Sequence, residues 1–303
     1  MKSGSGPLVS IVVCTYNGEA FLSQQLDSLI GQGYENLEIL IADDRSTDGT
    51  VDIIRKYAER DSRIRFYINE TNLGYNRNFE TAFSNARGQL VAVSDQDDIW
   101  KSNKIEKMIP LLDDPQVLLA YCQSVRFTNK PPDLERYTAR TLFEGNDPRK
   151  LMFFNTIAGH NILFRKRLLQ FAQPFPGHVF YDWWLAITAA TYGRIACTDY
   201  VYTFHRSHGS NLTLGKKDEK FQTRAKANER LHTIEQVLRL DGLSEEERSF
   251  ALELHKVLLT LQEKKFSLPL FIFLTRHAPV IFFFKKRSWF SKIKMAYRLS
   301  FAK

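Results

Sequence analysis

Apolar runs and segments of helical spacing alternate along the first 120 residues. Val9-Ser10-Ile11-Val12-Val13 is a short β-branched run that predicts a strand, and Thr15-Tyr16-Asn17-Gly18 predicts the turn after it. From Glu19 to Ile30 the spacing is helical, with Phe21, Leu22, Leu26, Leu29 and Ile30 on one side. Leu37 to Ala42 predicts a second strand that ends in Asp43-Asp44. Ser46-Thr47-Asp48 then opens a helix through Tyr57 with side chains suited to an N-cap. Ile64 to Ile68 predicts a third strand, Arg77 to Ala86 a helix and Leu90 to Val93 a fourth strand. Repeated strand–helix units predict an α/β fold, with a mostly parallel central sheet flanked by helices.

Beyond residue 215 the pattern becomes helical. Lys216 to Leu240 and Ser244 to Lys264 predict two amphipathic helices. Leu268 to Phe284 is strongly apolar but contains Arg276, His277 and two prolines. A membrane-spanning helix needs about 20 apolar residues with few charges, so this segment is not expected to cross. The pattern divides the chain into a flexible lead-in (1–7), an α/β domain (8–214) and a C-terminal helical extension (215–303).

Composition narrows the classes. The 303 residues are 44% hydrophobic and 25% charged, which suits a globular protein and not a disordered one. Three scattered cysteines, Cys14, Cys122 and Cys197, imply a reducing compartment, and the N-terminus lacks the basic-then-apolar pattern of a secretory signal. The net charge of +8 is concentrated at one end. Lys285 to Lys303 carries five lysines, two arginines and no acid, which is +7, and leaves about +1 for everything before it. A nucleic-acid-binding domain spreads basic residues over its folded face, so nucleic acid is not an expected partner.

The chemistry gathers at strand exits. SDQDDIW (94–100) places three carboxylates in four residues directly after the fourth apolar run. Such a cluster is costly unless water, a cation or a positive ligand compensates it. In open α/β sheets ligands collect beyond the carboxyl ends of strands. The exits Thr15-Tyr16-Asn17, Asp43-Asp44 and Asp95-Gln96-Asp97-Asp98 are therefore expected along one edge. No glycine-rich phosphate loop follows the first strand. A nucleoside diphosphate held here would need a divalent cation, and paired hard oxygen ligands suit Mg²⁺ or Mn²⁺.

VSIVVCTYNGEAFLSQQLDSL, LEILIADDRSTDGT and NLGYNRNFETAFSNARGQLVAVSDQDD together resemble the nucleotide-binding half of family 2 glycosyltransferases with the GT-A fold, in continuous order over about residues 8–210. The resemblance implies a nucleotide-sugar half (8–100) and an acceptor half (101–214). It implies that Thr15, Tyr16 and Asn17 line the nucleotide pocket and that Asp43 or Asp44, preferably Asp43, faces a pyrimidine base. Asn72, Gly74, Arg77 and Asn78 would lie along the nucleotide and sugar, with Gln96 beside them. The D-x-D acids map to Asp95, near the ribose and sugar and a possible metal ligand, and to Asp97, the principal metal ligand. Asp98 is assigned either to the donor sugar or to capping a helix beginning near Trp100.

Sugar transfer with inversion also needs a base for the acceptor hydroxyl, and a carboxylate opposite the diphosphate suits it. The family's acid motif maps to Tyr181-Asp182-Trp183-Trp184, where Asp182 holds the catalytic position and Tyr181 replaces the usual first acid. The alternative for Asp182 is an N-cap of the following helix. Trp183 and Trp184 are either acceptor-stacking or core residues, and His160, in Gly159-His160-Asn161, is either an acceptor contact or a packed histidine. Arg206 and His208, in HRSHGSN (205–211), are candidates for the diphosphate or the metal. A zinc site built on His205 and His208 lacks cysteine or acid partners at suitable spacing.

SDQDDIW with Lys104 and the later YDWW resemble bacterial rhamnosyltransferases, which makes dTDP-rhamnose the expected donor and a UDP-hexose or UDP-N-acetylhexosamine the alternative. The expected acceptor is a saccharide or lipid-linked saccharide of the cell surface. More distant alternatives are a nucleotidyltransferase and a non-catalytic sugar-nucleotide-binding relative. In the tail, Trp289, Phe290, Ile293, Tyr297 and Phe301 share a helical side flanked by Lys292, Lys294 and Arg298. Residues 268–303 are therefore expected to bind an anionic membrane, placing the protein in the cytoplasm on the inner face of the plasma membrane. Packing on the catalytic domain or on a second copy is the alternative.

Overall fold

The structure is a computed structural model, which describes residues 6–209, 224–263, 265–286 and 288–301. In chain order the elements are β1 (Val9–Thr15), α1 (Leu22–Ile30), β2 (Leu37–Asp43), α2 (Thr50–Arg60), β3 (Ile64–Ile68), α3 (Tyr75–Asn85), β4 (Leu90–Ser94), β5 (Ile99–Trp100), α4 (Lys104–Met108) and β6 (Val117–Phe127). There follow α5 (Arg149–Met152), β7 (Ile162–Arg165), α6 (Leu169–Ala172), α7 (Tyr181–Tyr192), β8 (Arg194–Arg206), α8 (Arg224–Val237), α9 (Glu245–Glu263), α10 (Leu268–Arg276), α11 (Ala278–Ile281) and α12 (Trp289–Leu299).

One eight-stranded sheet runs in the order β3-β2-β1-β4-β7-β6-β8-β5. The first four strands are all parallel, with Val9–Thr15 paired to Leu37–Asp43 on one side and Val9–Val13 to Leu90–Ser94 on the other. The side chains of β2, β1 and β4 are buried on both faces because α1 and α2 cover one face while α3 and α7 cover the other, whereas the edge strand β3 is partly exposed. That explains why the strands read as continuous apolar runs. The second half is mixed. β7 runs antiparallel to both β4 and β6, and β5 antiparallel to β8, while β6 and β8 are parallel. The expected α/β fold is found, with the parallel order confined mainly to the first half.

Several predicted boundaries move. The first helix begins at Leu22 because Glu19 is taken by the next loop, where its carboxylate accepts the Gly49 amide at 2.9 Å. The helix expected from Ser46 begins at Thr50, whose amide donates to Asp48 at 3.1 Å. No helix starts near Trp100: that residue pairs with Thr203 in β5, and α4 begins only at Lys104. The helix after Asp182 starts earlier than expected, at Tyr181, so Asp182 lies inside its first turn and Phe180 takes the cap position. The predicted helix from Lys216 is described only from Arg224 onward, and Ser210 and Asn211 of the HRSHGSN motif also lie outside the described residues.

The apolar stretch 268–284 breaks into α10 and α11 at His277, and among the described residues no helix is long and apolar enough to cross a membrane. The extension packs against the second half: the Thr141 amide donates to Phe284 O at 3.3 Å, and the Phe143 and Phe283 rings meet edge to face.

Candidate active site

All three polar strand exits meet at one end of the sheet, because β1, β2 and β4 are parallel neighbours. Gln96 ties two of them together, accepting from the Tyr16 amide at 3.0 Å and donating to Tyr16 O at 3.1 Å. Tyr16 itself projects outward and is half exposed.

The acids at the β2 exit are scaffold groups. Asp43 is fully buried and accepts from the Thr15 hydroxyl at 2.7 Å, the Ser46 hydroxyl at 2.6 Å and the Ser46 amide at 2.8 Å. Asp44 accepts from Asn69 Nδ2 and from the amides of Leu73 and Gly74, all within 3 Å. Asp43 therefore does not present its carboxylate to a base as the sequence suggested, since both of its oxygens are committed to the loop. Thr15 is likewise buried in this bond. The Asn17 side chain accepts the Thr47 amide at 2.8 Å, with its own backbone at φ 48°. Asn78 is buried too, donating to Ala42 O at 3.0 Å and accepting from Asn69 at 2.9 Å. Thr15 and Asn78 are thus held inside the fold, whereas Asn17 is exposed at the turn. Asn72 donates to Asp44 O at 3.0 Å, and Gly74, at φ 77°, gives the chain the turn from which α3 starts. Arg77 remains largely exposed, with one arm 2.7 Å from Glu80.

The acids at the β4 exit are different. Asp97 Oδ2 lies 2.6 Å from His208 Nε2. Asp95 Oδ2 lies 3.3 Å from His160 Nδ1. Asp98 is fully buried, accepts the Arg206 amide at 3.1 Å and sits 3.0 Å from His205 Nδ1, so it caps no helix. Its second oxygen has no hydrogen-bond partner and faces His160 Nδ1 at 3.7 Å. The His160 and His205 rings stack at 4.8 Å. Arg206 stands beneath the turn, donating to Asp97 O at 2.9 Å and to Gln24 at 2.6 Å between the rings of Phe21 and Phe127. It braces the acid turn from below.

Charge explains the titration of this cluster. Burial pushes the Asp97 carboxyl up, and the charges of Asp95 and Asp98 push it further, against the pull of His208. For Asp98 burial also pushes upward, but His160, His205 and the Arg206 amide outweigh it and hold the carboxyl below its ordinary value. Burial lowers His160, yet Asp98 and Asp95 raise it by more, so the imidazole ends above its ordinary value. Asp95, Asp98, His160 and His205 bring one ligand atom each to within 4.8 Å of one another, a group able to hold a metal ion. The acid partners that the sequence did not offer His205 at local spacing are thus supplied by the fold. Lys104 already places a positive charge beside this group. Its buried ammonium donates to His160 O at 2.7 Å and to Thr203 at 3.0 Å, and lies 3.4 Å above the Trp100 ring.

Across the site stands Asp182, in the first turn of α7. It accepts the amides of Trp183 at 2.7 Å and Gly159 at 3.1 Å, and a bond from the Asn155 side chain. Burial pushes its carboxyl up, the donated bonds offset part of this, and the result is about 6. Gly159 and His160 are adjacent, so one step of chain fastens Asp182 on one side and Asp95 on the other. A Cβ at Gly159 would stand 2.1 Å from the Tyr181 hydroxyl, so only glycine allows this approach.

The two tryptophans after Asp182 belong to the core and do not stack on an acceptor. Both are almost fully buried, and their indole N–H groups donate to Leu151 O at 2.6 Å and Ala172 O at 2.7 Å. α7 is buried around its whole circumference, which leaves no outward position for either ring. Three neighbours of the site escaped the sequence-based assignment. Ser124 lies 2.8 Å from His160 Nε2, Asn155 bonds to Asp182, and Lys104 underlies the acid turn. Lys104 had a signal in its fixed place after SDQDDIW, whereas Ser124 and Asn155 sit in segments without a recognisable pattern.

Comparison with known proteins gives the family. Residues 10–171, just over half of the chain, match the family model described as glycosyl transferase family 2. The chain belongs to that family. An uncharacterized glycosyltransferase of Haemophilus influenzae is 27% identical over 236 residues, which span 73% of this chain and 72% of the relative. The Escherichia coli enzyme WfaP, named a UDP-Glc:alpha-D-GlcNAc-diphosphoundecaprenol beta-1,3-glucosyltransferase, is 28% identical over 220 residues, 70% of this chain and 82% of its own. Among solved structures, S. aureus TarS in complex with UDP-GlcNAc superposes with a TM-score of 0.65 at 17% identity, covering 96% of this chain and 89% of that one. A mannosyltransferase from Pyrobaculum calidifontis in complex with GDP-Man and Mn²⁺ gives 0.59 at 20% identity over 96% of this glycosyltransferase and 84% of the other chain. The structural likenesses, at such identities, are likenesses of fold.

Proposed function

We propose that this glycosyltransferase inverts the anomeric centre of a nucleoside-diphosphate sugar, with Asp182 as the base and the acids 95–98 on the donor side. The observation that carries this is the Gly159-His160 step, which faces a carboxyl with a pKa of about 6 toward the acid cluster. A base with that pKa is mostly ionised at neutral pH and still basic enough to take a proton. As the acceptor hydroxyl attacks, its proton passes to Asp182, the new C–O bond forms at the anomeric carbon, and the bond to the diphosphate breaks with the electron pair leaving on the phosphate oxygen. The Gly159 amide and Asn155 hold the carboxylate in place.

Asp97 and His208 are suited to hold Mg²⁺ or Mn²⁺, with Asp95 beside them. An oxygen and a nitrogen donor meet within 2.6 Å, and Asp97, raised by burial and then by two neighbouring carboxylates, sits in crowding of the kind that a cation relieves. Such an ion would supply charge stabilisation to the departing diphosphate. Tyr16, Asn72, Gly74, Arg77 and Gln96 would border the nucleotide, and Thr15, Asn17, Asp43, Asp44 and Asn78 would support that border.

For the donor, the SDQDDIW motif favours dTDP-rhamnose, while the UDP donors in the names of WfaP and the TarS complex favour a UDP-sugar. Uracil and thymine share one hydrogen-bonding edge, so both readings predict a pyrimidine nucleotide. The acceptor we propose is a sugar of a cell-surface polysaccharide precursor, lipid-linked as in WfaP. The tail would rest on the anionic inner face of the plasma membrane: Phe290 is 82% exposed, Trp289 and Tyr297 about half, and Lys294 and Arg298 flank them. Ile293 and Phe301 are only partly exposed, Phe301 packing on Phe266 and Tyr297, so the apolar face is narrower than the sequence suggested.

The test is release of nucleoside diphosphate from dTDP-rhamnose, UDP-Glc and UDP-GlcNAc in the presence of a glycosyl diphosphoryl lipid, with and without EDTA. Release from one pyrimidine donor that stops in EDTA and returns with Mn²⁺ supports the proposal. Turnover undiminished by EDTA would sink the metal role.

A further inference from the structure

One buried cationic group on α8 has no role in this scheme. Arg230, on α8, lies with its guanidinium over the Phe153 ring at 4.5 Å and the Phe154 ring at 5.5 Å, and its Nε donates to Phe153 O at 3.0 Å. Nη1 is shielded from solvent and has no hydrogen-bond partner. Among the described residues no carboxylate lies within salt-bridge distance of it. Burial pulls its pKa down to about 10 against the charge of the adjacent Glu229, which still leaves it charged at neutral pH. An unpaired, desolvated guanidinium is costly, and the usual compensation is an anion.

Its position suggests which anion. The carbonyl that fixes Arg230 belongs to Phe153, and two residues later the exposed Asn155 bonds to Asp182. Two residues of chain span at most about 7 Å, so one short stretch carries both the carbonyl that fixes Arg230 and the side chain that meets Asp182. The donor's diphosphate has its place on the opposite side, by Asp97 and His208.

We propose that Arg230 is an anion subsite on the acceptor side, which takes the phosphate next to the acceptor sugar in a diphosphate-linked acceptor. This rests on the transfer reaction proposed above and adds a recognition element to it. A guanidinium held over aromatic rings presents its N–H fork to phosphate in a fixed geometry, which a lysine cannot reproduce.

The experiment is calorimetric titration of the full chain with geranyl diphosphate in EDTA, with geraniol as the control for the lipid chain. The wild type should bind geranyl diphosphate saturably and geraniol not at all. Saturating UDP or dTDP should not displace it. Arg230→Met should weaken binding more than tenfold, and Arg230→Lys should fall between the two. Should Arg230→Met fail to fold, Arg230→Gln provides the same comparison. Equal affinity of wild type and variant, no saturable binding, or displacement by nucleotide overturns the subsite. Arg230-dependent binding to phosphatidylglycerol vesicles, with none to geranyl diphosphate, would reassign the anion to a bilayer headgroup and also overturn it. Transfer does not enter this readout, so an enzyme that binds geranyl diphosphate but transfers no sugar refutes the proposed reaction and not the subsite.

Discussion

Two strand exits carry adjacent acids, and they do opposite jobs. At the β2 exit, Asp43 and Asp44 receive neutral donors, amides, hydroxyls and a carboxamide, until their oxygens are occupied. At the β4 exit, Asp95, Asp97 and Asp98 face imidazoles, a buried ammonium and one another, and one Asp98 oxygen is left without a hydrogen bond. A carboxylate saturated by amides is a rigid piece of loop. A carboxylate balanced by titratable or mobile charge can exchange that partner for a cation or a substrate. Partner chemistry, and not the presence of acid, is what distinguishes the two exits.

Asp182 combines both kinds of environment, and it gives the largest expected effect. Asp182→Asn keeps the side chain's shape but cannot accept the acceptor's proton, so turnover should fall by about 10²–10⁴-fold while donor affinity holds. Near-normal turnover per folded molecule would make Asp182 a purely structural member of the first turn. In the wild type, turnover should drop as pH falls through about 6, because protonation removes the base. Asp97→Ala comes next. It removes a partly exposed group and no core volume, so the fold should persist while Mn²⁺-dependent donor binding is lost and turnover falls by roughly 10²–10³. Asp43→Ala should behave in the other way. Leaving the Ser46 amide and the Thr15 and Ser46 hydroxyls unmet costs about 1–3 kcal/mol, read as a lowered denaturation midpoint, with nucleotide affinity changed mainly through the loosened loop. A stable Asp43→Ala protein with abolished nucleotide binding would erase the contrast between the two exits.

The parallel half of the sheet was legible because its code is local. Four apolar runs, the first three followed by helical spacing, leave few alternatives, and the polar exits align once the strands are parallel. The second half hides its order. β7 is four residues long and antiparallel, and β6 follows only the five-residue α4, so neither advertises its neighbours. The site residues divide in the same way. Asp97 and Asp182 stand in compact motifs, whereas the ring stack of His160 on His205 and the bond from Asn155 to Asp182 join segments far apart in sequence. The tryptophans misled for a related reason: beside an acid they look like a sugar platform, but α7 is buried on every side. The choice of Asp43 over Asp44 rested on a motif that does not record which oxygens are already taken.

The smallest expected effect tests whether Asp182 is indeed desolvated, independently of catalysis. Its carboxyl titrates near 6 in the folded chain and near the ordinary value of about 3.9 in the unfolded one. Between those two values the folded state retains a proton that the unfolded state has released. Stability therefore declines as pH rises through this window and loses nothing further above it. Asp182→Asn removes the titration, leaving a constant offset for the altered hydrogen bonds to Gly159 and Trp183. The melting temperature of the variant relative to wild type should climb by a few degrees from about pH 4 to about pH 6.5 and then level off. Parallel melting curves across that range would mean the carboxylate is well solvated. Its basicity would then be that of any surface aspartate, too weak for the role that its position beside Gly159 suggests.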